Sequence, residues 1–241
     1  MNDLRTRLDL ALARRENISR NKAAEMIESG VVRVSGVLRN KPSFITSETD
    51  AITTERADRF ASRSAYKLLG FLEAIALDVS GLDCLDVGAS AGGWTQVLLE
   101  RGAAQVTAID VGENQLNPIL RADTRVRSME KTDIRLFAAP PFDLVVCDAS
   151  FISLEKIVGV IDALAKDKII ALFKPQFEVG RAAKRDKNDV VVDQKAIEKA
   201  ALRFENAASA LGWILQAKLP SAIKGKKGNL EYLFYYRKIV R

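Results

Sequence analysis

The chain has 241 residues, 48% of them hydrophobic, which is enough for one large domain or two unequal domains with real cores. Lysine and arginine number 37 against 31 aspartate and glutamate, and the resulting net charge of +6 suits a polyanionic partner. Histidine is absent, which excludes histidine-based catalytic triads and histidine-containing metal sites. We expect no metal site.

The two cysteines, Cys84 and Cys147, lie inside apolar strand-like runs without metal or redox spacing, as is typical of reduced cytoplasmic proteins. Residues 1–15 carry charges throughout, unlike a signal peptide with its apolar block. The longest apolar runs are far shorter than the roughly 18 residues of a membrane span. The sequence therefore predicts a cytoplasmic protein that makes no use of a membrane and shows no sign of an obligate protein partner.

The first segment predicts a small, basic α+β domain over residues 1–58. Apolar residues at helical spacing from Leu8 to Ile27 indicate two short helices, with Ser19 capping the second and Gly30 ending it. The run VVRVSG then predicts a short strand that turns at Ser-Gly. Residues 1–41 contain nine Lys/Arg against five Asp/Glu, so most of the excess positive charge lies here.

A polar stretch at residues 59–63 is predicted to link this domain to a second one over residues 64–241. From there, apolar strand-like runs alternate with amphipathic helical segments, which favours an α/β fold with a doubly wound, Rossmann-like parallel sheet covered on both faces. The closing run NLEYLFYYRK predicts one late strand of that sheet.

A glycine-containing turn follows the first predicted strand of the second domain. Gly88, Gly92 and Gly93 would let the backbone approach a ligand closely, and their spacing favours S-adenosylmethionine over a dinucleotide. Asp110, at the end of the next strand, is placed to accept the ribose hydroxyls of an adenosine. Asp133 is a weaker candidate for the adenine amino group, and for it a helix N-cap is an equal alternative.

Four charged residues stand out from their apolar surroundings: Lys67, Asp148, Lys174 and Glu231. Asp148 and Lys174 end buried strands, where ligands bind in open α/β sheets. Two neighbouring lysines disfavour each other's charge, so one could act as a base towards a ribose hydroxyl. The alternative is two ordinary salt bridges, Asp148 with Lys174 and Glu231 with Lys67.

With these residues in place, the sequence resembles the TlyA or haemolysin-A-like ribosomal RNA methyltransferases along nearly its whole length. The first domain resembles a small ribosomal-protein-type RNA-binding fold through RLD, SRNKAAEMIESGVVRVSG and KPS. The second resembles the FtsJ-like 2′-O-ribose methyltransferases through SRSAYKL, CLDVGASAGGWTQVLLERGA, DLVVCDASFISL, LFKPQFEVG and GNLEY. The resemblance implies a cytidine-2′-O-methyltransferase that acts on ribosomal RNA within ribosomal subunits.

The resemblance also implies a Lys-Asp-Lys-Glu catalytic tetrad, carried by the four charged residues above. It places S-adenosylmethionine around Asp110 and a loop composed of Asp86, Gly88, Ala89, Ser90, Gly92, Gly93 and Trp94. This chain departs from the family pattern at Ser64, where glycine is usual, and at the stretch DKNDVVVDQ, which replaces a segment with glycine and histidine. We take Lys174 as the proton acceptor.

In the first domain, basic residues could form a phosphate-binding face, namely Arg5, Arg7, Arg14, Arg20, Lys22, Arg33 and Lys41. The alternative is an ordinary soluble basic surface. Two further basic loops, RAAKRDKND and IKGKKGN, flank Lys174 and Glu231 and could form a rim for RNA.

Three rival functions remain to be weighed. A base, protein or small-molecule methyl acceptor is disfavoured because DASF occurs where amino-group methylation would need a sequence like NPPY. A non-catalytic RNA-binding assembly factor would not require the charged tetrad. A pore-forming haemolysin would need amphipathic or membrane-spanning segments that the sequence does not contain.

Overall fold

The computed structural model describes residues 5–16, 18–28, 30–54 and 60–239. The chain divides into two compact units, Met1–Arg59 and Phe60–Arg241. Phe60, predicted to lie in the linker, is instead 2% exposed in the core of the second unit, where its ring packs edge-on against Tyr66. The Ala61 N–H donates to Gln96. The second unit therefore begins at Phe60, earlier than the polar composition of residues 59–63 indicates. The reason is that the one aromatic ring of this stretch is buried in the core of that unit.

Within its described residues, the first unit contains two helices and five short strands. They are β1 (Thr6–Arg7), α1 (Leu8–Glu16), α2 (Arg20–Glu28), β2 (Val32–Val34), β3 (Val37–Leu38), β4 (Ile45–Thr46) and β5 (Ile52–Thr54). Strand β1 pairs with β4, and β2 lies between β3 and β5 in a separate antiparallel sheet. The small α+β domain is thus confirmed.

The local signals at the ends of these elements are also confirmed. The Ser19 hydroxyl accepts the Lys22 N–H at 3.2 Å and caps α2. Gly30, with φ of +76°, ends the segment after α2, a backbone conformation that glycine adopts without strain. The turn after β2 uses positive φ at Ser35 and Gly36.

A buried carboxylate holds the first unit together at the start of α1. Asp9 is 3% exposed and accepts bonds from Arg7 at 2.9 Å and from the Arg20 Nε at 3.0 Å. These guanidinium groups, Arg7 first, lower the pKa of Asp9 to about 2. Arg20 begins α2, so this contact ties the two helices together.

We predict that Arg20→Ala loosens the first unit. Removing one of two hydrogen-bonded cations from Asp9 should cost about 1 kcal/mol, because Arg7 remains and the Arg20 side chain is half exposed. Amide hydrogen exchange in α1 and α2 should accelerate by about fivefold. The control is Arg14→Ala, which removes an exposed α1 arginine without a partner among the described residues. Equal exchange in the two variants would contradict the role of Arg20.

The second unit alternates strands and helices. Its first half contains α3 (Ala65–Ala74), β6 (Asp83–Val87), α4 (Gly93–Glu100), β7 (Gln105–Ile109), α5 (Pro118–Ala122), β8 (Val126–Met129) and a 3-10 turn (Ile134–Leu136). Its second half contains β9 (Phe142–Cys147), α6 (Leu154–Leu164), β10 (Ala165–Phe173), α7 (Pro175–Glu178), α8 (Gln194–Ala210), β11 (Trp213–Pro220) and β12 (Tyr232–Lys238).

Seven strands form one sheet in the order β11-β12-β10-β9-β6-β7-β8. The five strands from β10 to β8 in that order are parallel, and β12 enters antiparallel to β10. One face of the sheet is covered by α3 and α4, and the other by α6 and α8. The doubly wound α/β fold is confirmed, and so is the late strand β12.

Among the elements that were not predicted from the sequence are α8 and β11. The buried residues of α8 are mostly alanines, Phe204 being the large exception, so its apolar pattern is weak. Strand β11 forms the exposed edge of the sheet, and most of its residues face solvent. Both cysteines are free and fully buried, and burial raises the pKa of each thiol to about 12. No helix within the described ranges is long and apolar enough to cross a membrane.

Candidate active site

Three of the four charged candidate residues lie at one edge of the sheet because of strand direction. Asp148 follows β9 and Lys174 follows β10, both at the carboxyl ends of parallel strands. Glu231 precedes β12, which runs the opposite way and pairs Tyr232 with Phe173. The residues flanking that last pair, Lys174 and Glu231, therefore stand at the same edge. Lys67 reaches this edge from α3.

The four side chains form two ion pairs. Lys174 Nζ lies 2.5 Å from Asp148 Oδ1, and Lys67 Nζ lies 2.6 Å from Glu231 Oε2. Lys67, Lys174 and Glu231 are 8%, 7% and 2% exposed, so these charges are largely removed from water. The pairing is the one stated above as the alternative of two salt bridges. Each lysine faces a carboxylate of its own.

Lys174 has three oxygen neighbours. Besides Asp148 Oδ1, its Nζ donates to the Ser150 hydroxyl at 2.9 Å and to the Asp148 carbonyl at 3.1 Å. The contact with Asp148 Oδ1 is an ion pair, since that oxygen has no hydrogen-bond partner among the described residues. Lys174 is thus held against the loop after β9, which carries both Asp148 and Ser150.

Glu231 is held from two further sides. Gln176, two residues after Lys174, donates its amide to Glu231 Oε1 at 2.9 Å. A Cβ at Gly225 would stand 2.5 Å from the same oxygen, so a larger residue there would push against the Glu231 carboxylate. Neither residue was predicted as part of the site. The only signal for Gln176 was a polar side chain beside the Lys-Pro that ends β10.

The glycine turn after β6 packs against the protein's own atoms. A Cβ at Gly88, whose φ is +84°, would lie 2.8 Å from the Asp148 carbonyl. A Cβ at Gly92 would meet the side chains of Leu116 and Leu120 at under 3 Å, and one at Gly93 would meet Ser62. The close neighbours of these glycines among the described residues are thus other segments of the chain, so the turn serves packing. That the same glycines also admit a ligand stays a prediction.

Asp110 ties this turn to the next strand. Its carboxylate accepts the Ser90 N–H at 2.9 Å and the Gly112 N–H at 2.7 Å, one on each oxygen. Each oxygen retains a second lone pair, so the carboxylate can still accept hydroxyl donors from a ligand. Ser90 is exposed and adopts a positive φ, whereas Ala89 is buried.

Asp86, the penultimate residue of β6, is fully buried. One carboxylate oxygen accepts the Thr95 hydroxyl at 2.7 Å, and the other has no hydrogen-bond partner in the described part of the chain. Burial, reinforced by the nearby charges of Asp148 and Asp110, raises the pKa of Asp86 to about 7. Thr95 was not identified from the sequence.

Two predicted cofactor residues have other contacts. Trp94 is 2% exposed, packs in the core beneath α3 and donates its indole N–H to the Ser64 carbonyl at 2.9 Å. Asp133 accepts the Arg135 N–H at 2.9 Å and caps the 3-10 turn, which is the N-cap role given above as its alternative. The Arg135 guanidinium lowers the pKa of Asp133 to about 2.

An aromatic pair lies beside Lys174. Phe151 is 90% exposed with φ of +65°, and its ring centroid is 5.1 Å from that of Phe177. Lys174 Nζ lies 5.9 Å from the Phe177 ring. A large apolar ring held in solvent next to buried charges offers a face for a flat ligand group.

With this geometry described, comparison with known proteins is informative. Residues 60–238 match the model of the FtsJ-like methyltransferase family, and residues 6–52 match the S4 domain. The chain belongs to the TlyA or haemolysin-A-like ribosomal RNA methyltransferase family.

Three relatives illustrate the likeness. The chain is 43% identical to the 23S rRNA (cytidine-2′-O)-methyltransferase TlyA of Campylobacter jejuni, over 96% of this chain and 99% of the relative. It is 42% identical to the 16S/23S rRNA (cytidine-2′-O)-methyltransferase TlyA of Mycobacterium tuberculosis, over 97% and 90%. A Streptococcus thermophilus structure described as a hemolysin superposes with a TM-score of 0.75 at 32% identity, covering 97% of this chain and 88% of that one.

In the S4 unit of this family member, the predicted RNA-binding residues fall into two groups. Arg7 and Arg20 are bonded to Asp9, and Arg33 donates to the Gly36 carbonyl at 3.1 Å. Arg5, Arg14 and Lys41 are exposed, and Lys22 is half-buried. Their role in RNA binding stays a prediction.

The buried Asp86 predicts a pH-dependent stability in the absence of cofactor. The pKa of this carboxyl is near 7 in the folded state and near 4 in the unfolded state. Between those pH values the folded state binds more protons, so the stability of the protein falls as the pH rises through that range. Asp86→Asn removes this effect. The melting temperature of the variant minus that of the parent should therefore increase from pH 5 to pH 8.

The matched control is Asp78→Asn, because hydrogen bonds from Ser80 lower the pKa of Asp78 and keep it ionised throughout this range. Its melting difference should be flat. A flat difference for Asp86→Asn as well would show that Asp86 is ionised in the folded protein at pH 5.

Proposed function

We propose that this chain methylates the 2′-hydroxyl of a cytidine in ribosomal RNA, with S-adenosylmethionine as the methyl donor. The observation that carries the proposal is the pair of buried ion pairs, Lys174–Asp148 and Lys67–Glu231, at the same sheet edge as the glycine turn. Three of these four charged side chains are less than a tenth exposed, and because buried ion pairs add little net stability, their burial beside an exposed ring favours a role in a reaction. The curated names of the Campylobacter and Mycobacterium relatives support the same reaction.

The residues around the glycine turn fit S-adenosylmethionine. The unpartnered oxygen of Asp86 is a buried acceptor for an ammonium group, directly or through water. Asp110 retains acceptor capacity for ribose hydroxyls, and Ser90 is exposed beside it. When bound, the cofactor supplies a methyl group on a positively charged sulfur, a good leaving group. Trp94 is buried away from solvent and supports the turn from beneath.

We assign proton removal from the ribose hydroxyl to Lys174. As the base, a neutral Lys174 would take the hydroxyl proton onto Nζ, which Asp148 Oδ1, the Asp148 carbonyl and the Ser150 hydroxyl hold in place at the sheet edge. Lys67 and Glu231 supply a fixed pair of opposite charges beside this site. The protein's main contribution is to position both reactants and assist proton removal.

The exposed ring of Phe151 fits the nucleotide base. Enzymes that modify a nucleotide take it out of the stack, and aromatic side chains then supply a face for the base. The S4 unit, with its exposed Arg5 and Lys41, would supply phosphate contacts that carry no chemistry. Action on ribosomal RNA within ribosomal subunits would place the protein in the cytoplasm.

A non-catalytic assembly factor is the second candidate function. An S4 domain is as much expected in an assembly factor as in an RNA methyltransferase, but an assembly factor would not need the two ion pairs. Transfer of a labelled methyl group from S-adenosylmethionine to ribosomal RNA, mapped to one 2′-O position, separates the two.

The central prediction concerns Lys174→Arg. Arginine keeps the positive charge next to Asp148 but does not give up its proton at neutral pH. Single-turnover methyl transfer to ribosomal RNA should fall by about a hundredfold or more, while the affinity for S-adenosylmethionine is unchanged. The rates should be measured from pH 6 to 9.

Lys156→Arg is the control, since this exposed lysine lies on α6. Near-normal rates for Lys174→Arg would show that Lys174 serves only as a fixed charge. No transfer by the parent chain to any ribosomal RNA would favour the assembly factor.

A second prediction concerns the S4 unit. Arg5→Ala with Lys41→Ala should weaken RNA binding and flatten its dependence on salt, by about 0.9 in logarithmic slope for each lost phosphate contact to duplex. Both side chains are exposed, so the melting temperature should not change. The control is Arg15→Ala with Lys156→Ala, which removes two exposed basic residues outside the predicted phosphate-binding face. Parent-like binding at several salt concentrations would assign RNA binding to another surface.

A further inference from the structure

The start of α3 carries a hydroxyl that contacts the candidate active site. Ser64 precedes the helix, and its Oγ donates to Asp148 Oδ2. Lys174 occupies the other oxygen, Oδ1, so the two carboxylate oxygens are held by different partners. A carboxylate with a partner on each oxygen cannot rotate about its Cβ–Cγ bond without losing both contacts.

Ser64 is not used as a helix cap. A serine at this position normally has extended backbone angles and accepts a hydrogen bond from the first turn. Here the backbone is helical, with φ of −59° and ψ of −25°, and the side chain makes no cap bond. The hydroxyl is therefore committed to Asp148. Since φ is negative, glycine would not be needed here for the backbone.

The backbone of Ser64 is itself anchored. Its carbonyl accepts the indole N–H of buried Trp94 at 2.9 Å, and the absent Cβ of Gly93 lets the N-terminus of α3 lie against the start of α4. Ser64 and Lys67 are three residues apart on one helix and share a face. One turn of α3 thus touches both ion pairs, Asp148 through Ser64 and Glu231 through Lys67.

We infer that Ser64 is a positioning residue for methyl transfer: its hydroxyl fixes the orientation of the Asp148 carboxylate and, through it, the position of Lys174 Nζ. The inference rests on the proposed function and adds to it a residue that the four charged side chains do not include. Ser64 acts through Asp148 and needs no contact with substrate. Its loss should lower the rate of methyl transfer and leave the cofactor's KM unchanged.

The test compares Ser64→Ala and Ser64→Gly, which lack the hydroxyl, with Ser64→Thr, which retains it. Steady-state kcat for methylation of ribosomal RNA should fall about tenfold in the first two, the loss expected for one hydrogen bond to a charged group, and stay within about twofold in the third. KM for S-adenosylmethionine and the melting temperature should match the parent in all three.

Ser62→Ala is the matched control, because the Ser62 hydroxyl makes no hydrogen bond with a described residue. Parent-like kcat in the Ala and Gly variants would overturn the inference, as would an equal loss in the Thr variant or a loss confined to KM. A parent chain that transfers no methyl group would instead refute the proposed function. An active parent with unaffected Ser64 variants refutes the positioning role alone.

Discussion

Charge pairing away from water is the constraint on which the candidate site depends. Lys67, Lys174 and Glu231 are each less than a tenth exposed, and a lone charge there would be costly. Each is therefore tied to a partner that comes from a distant part of the chain. Removal of any one member would leave an unpaired buried charge, so the pairs hold α3, the β9 and β10 ends and the start of β12 in mutual register.

The same edge joins the candidate cofactor loop to the ion pairs. Gly88 leaves room for the Asp148 carbonyl, and the Asp148 N–H donates to the Val87 carbonyl at 2.9 Å. The loop after β6 and the loop after β9 therefore pack as one body. The glycine turn therefore lies directly against the loop of Asp148, an arrangement that suits catalysis by positioning.

The S4 unit shows that basic residues in an RNA-binding fold have more than one use. Arg7 and Arg20 neutralise a carboxylate that is 3% exposed, and their removal would act on the fold before it acted on RNA. Arg5 and Lys41 make no such contact with a carboxylate among the described residues. Any measurement of RNA affinity in arginine variants of this unit therefore has to separate lost phosphate contacts from lost structure.

Local pattern alone determined much of this protein. Strand and helix alternation indicated the doubly wound sheet, Ser19 and Gly30 marked the ends of α2, and charged residues in apolar surroundings indicated the four members of the candidate site. These features depend on neighbours in sequence, through periodicity and capping.

Tertiary structure decided the rest. Contacts between segments tens of residues apart pair each lysine with its carboxylate, form the bonds from Gln176 and Ser64, and leave no room for a Cβ at Gly88. A residue's partners also cannot be read from its sequence neighbours: nothing near Arg20 in the sequence shows that it donates to the buried Asp9. Long-range packing sets these contacts because the free energy of a charge depends on what surrounds it, and a linear sequence does not specify its surroundings.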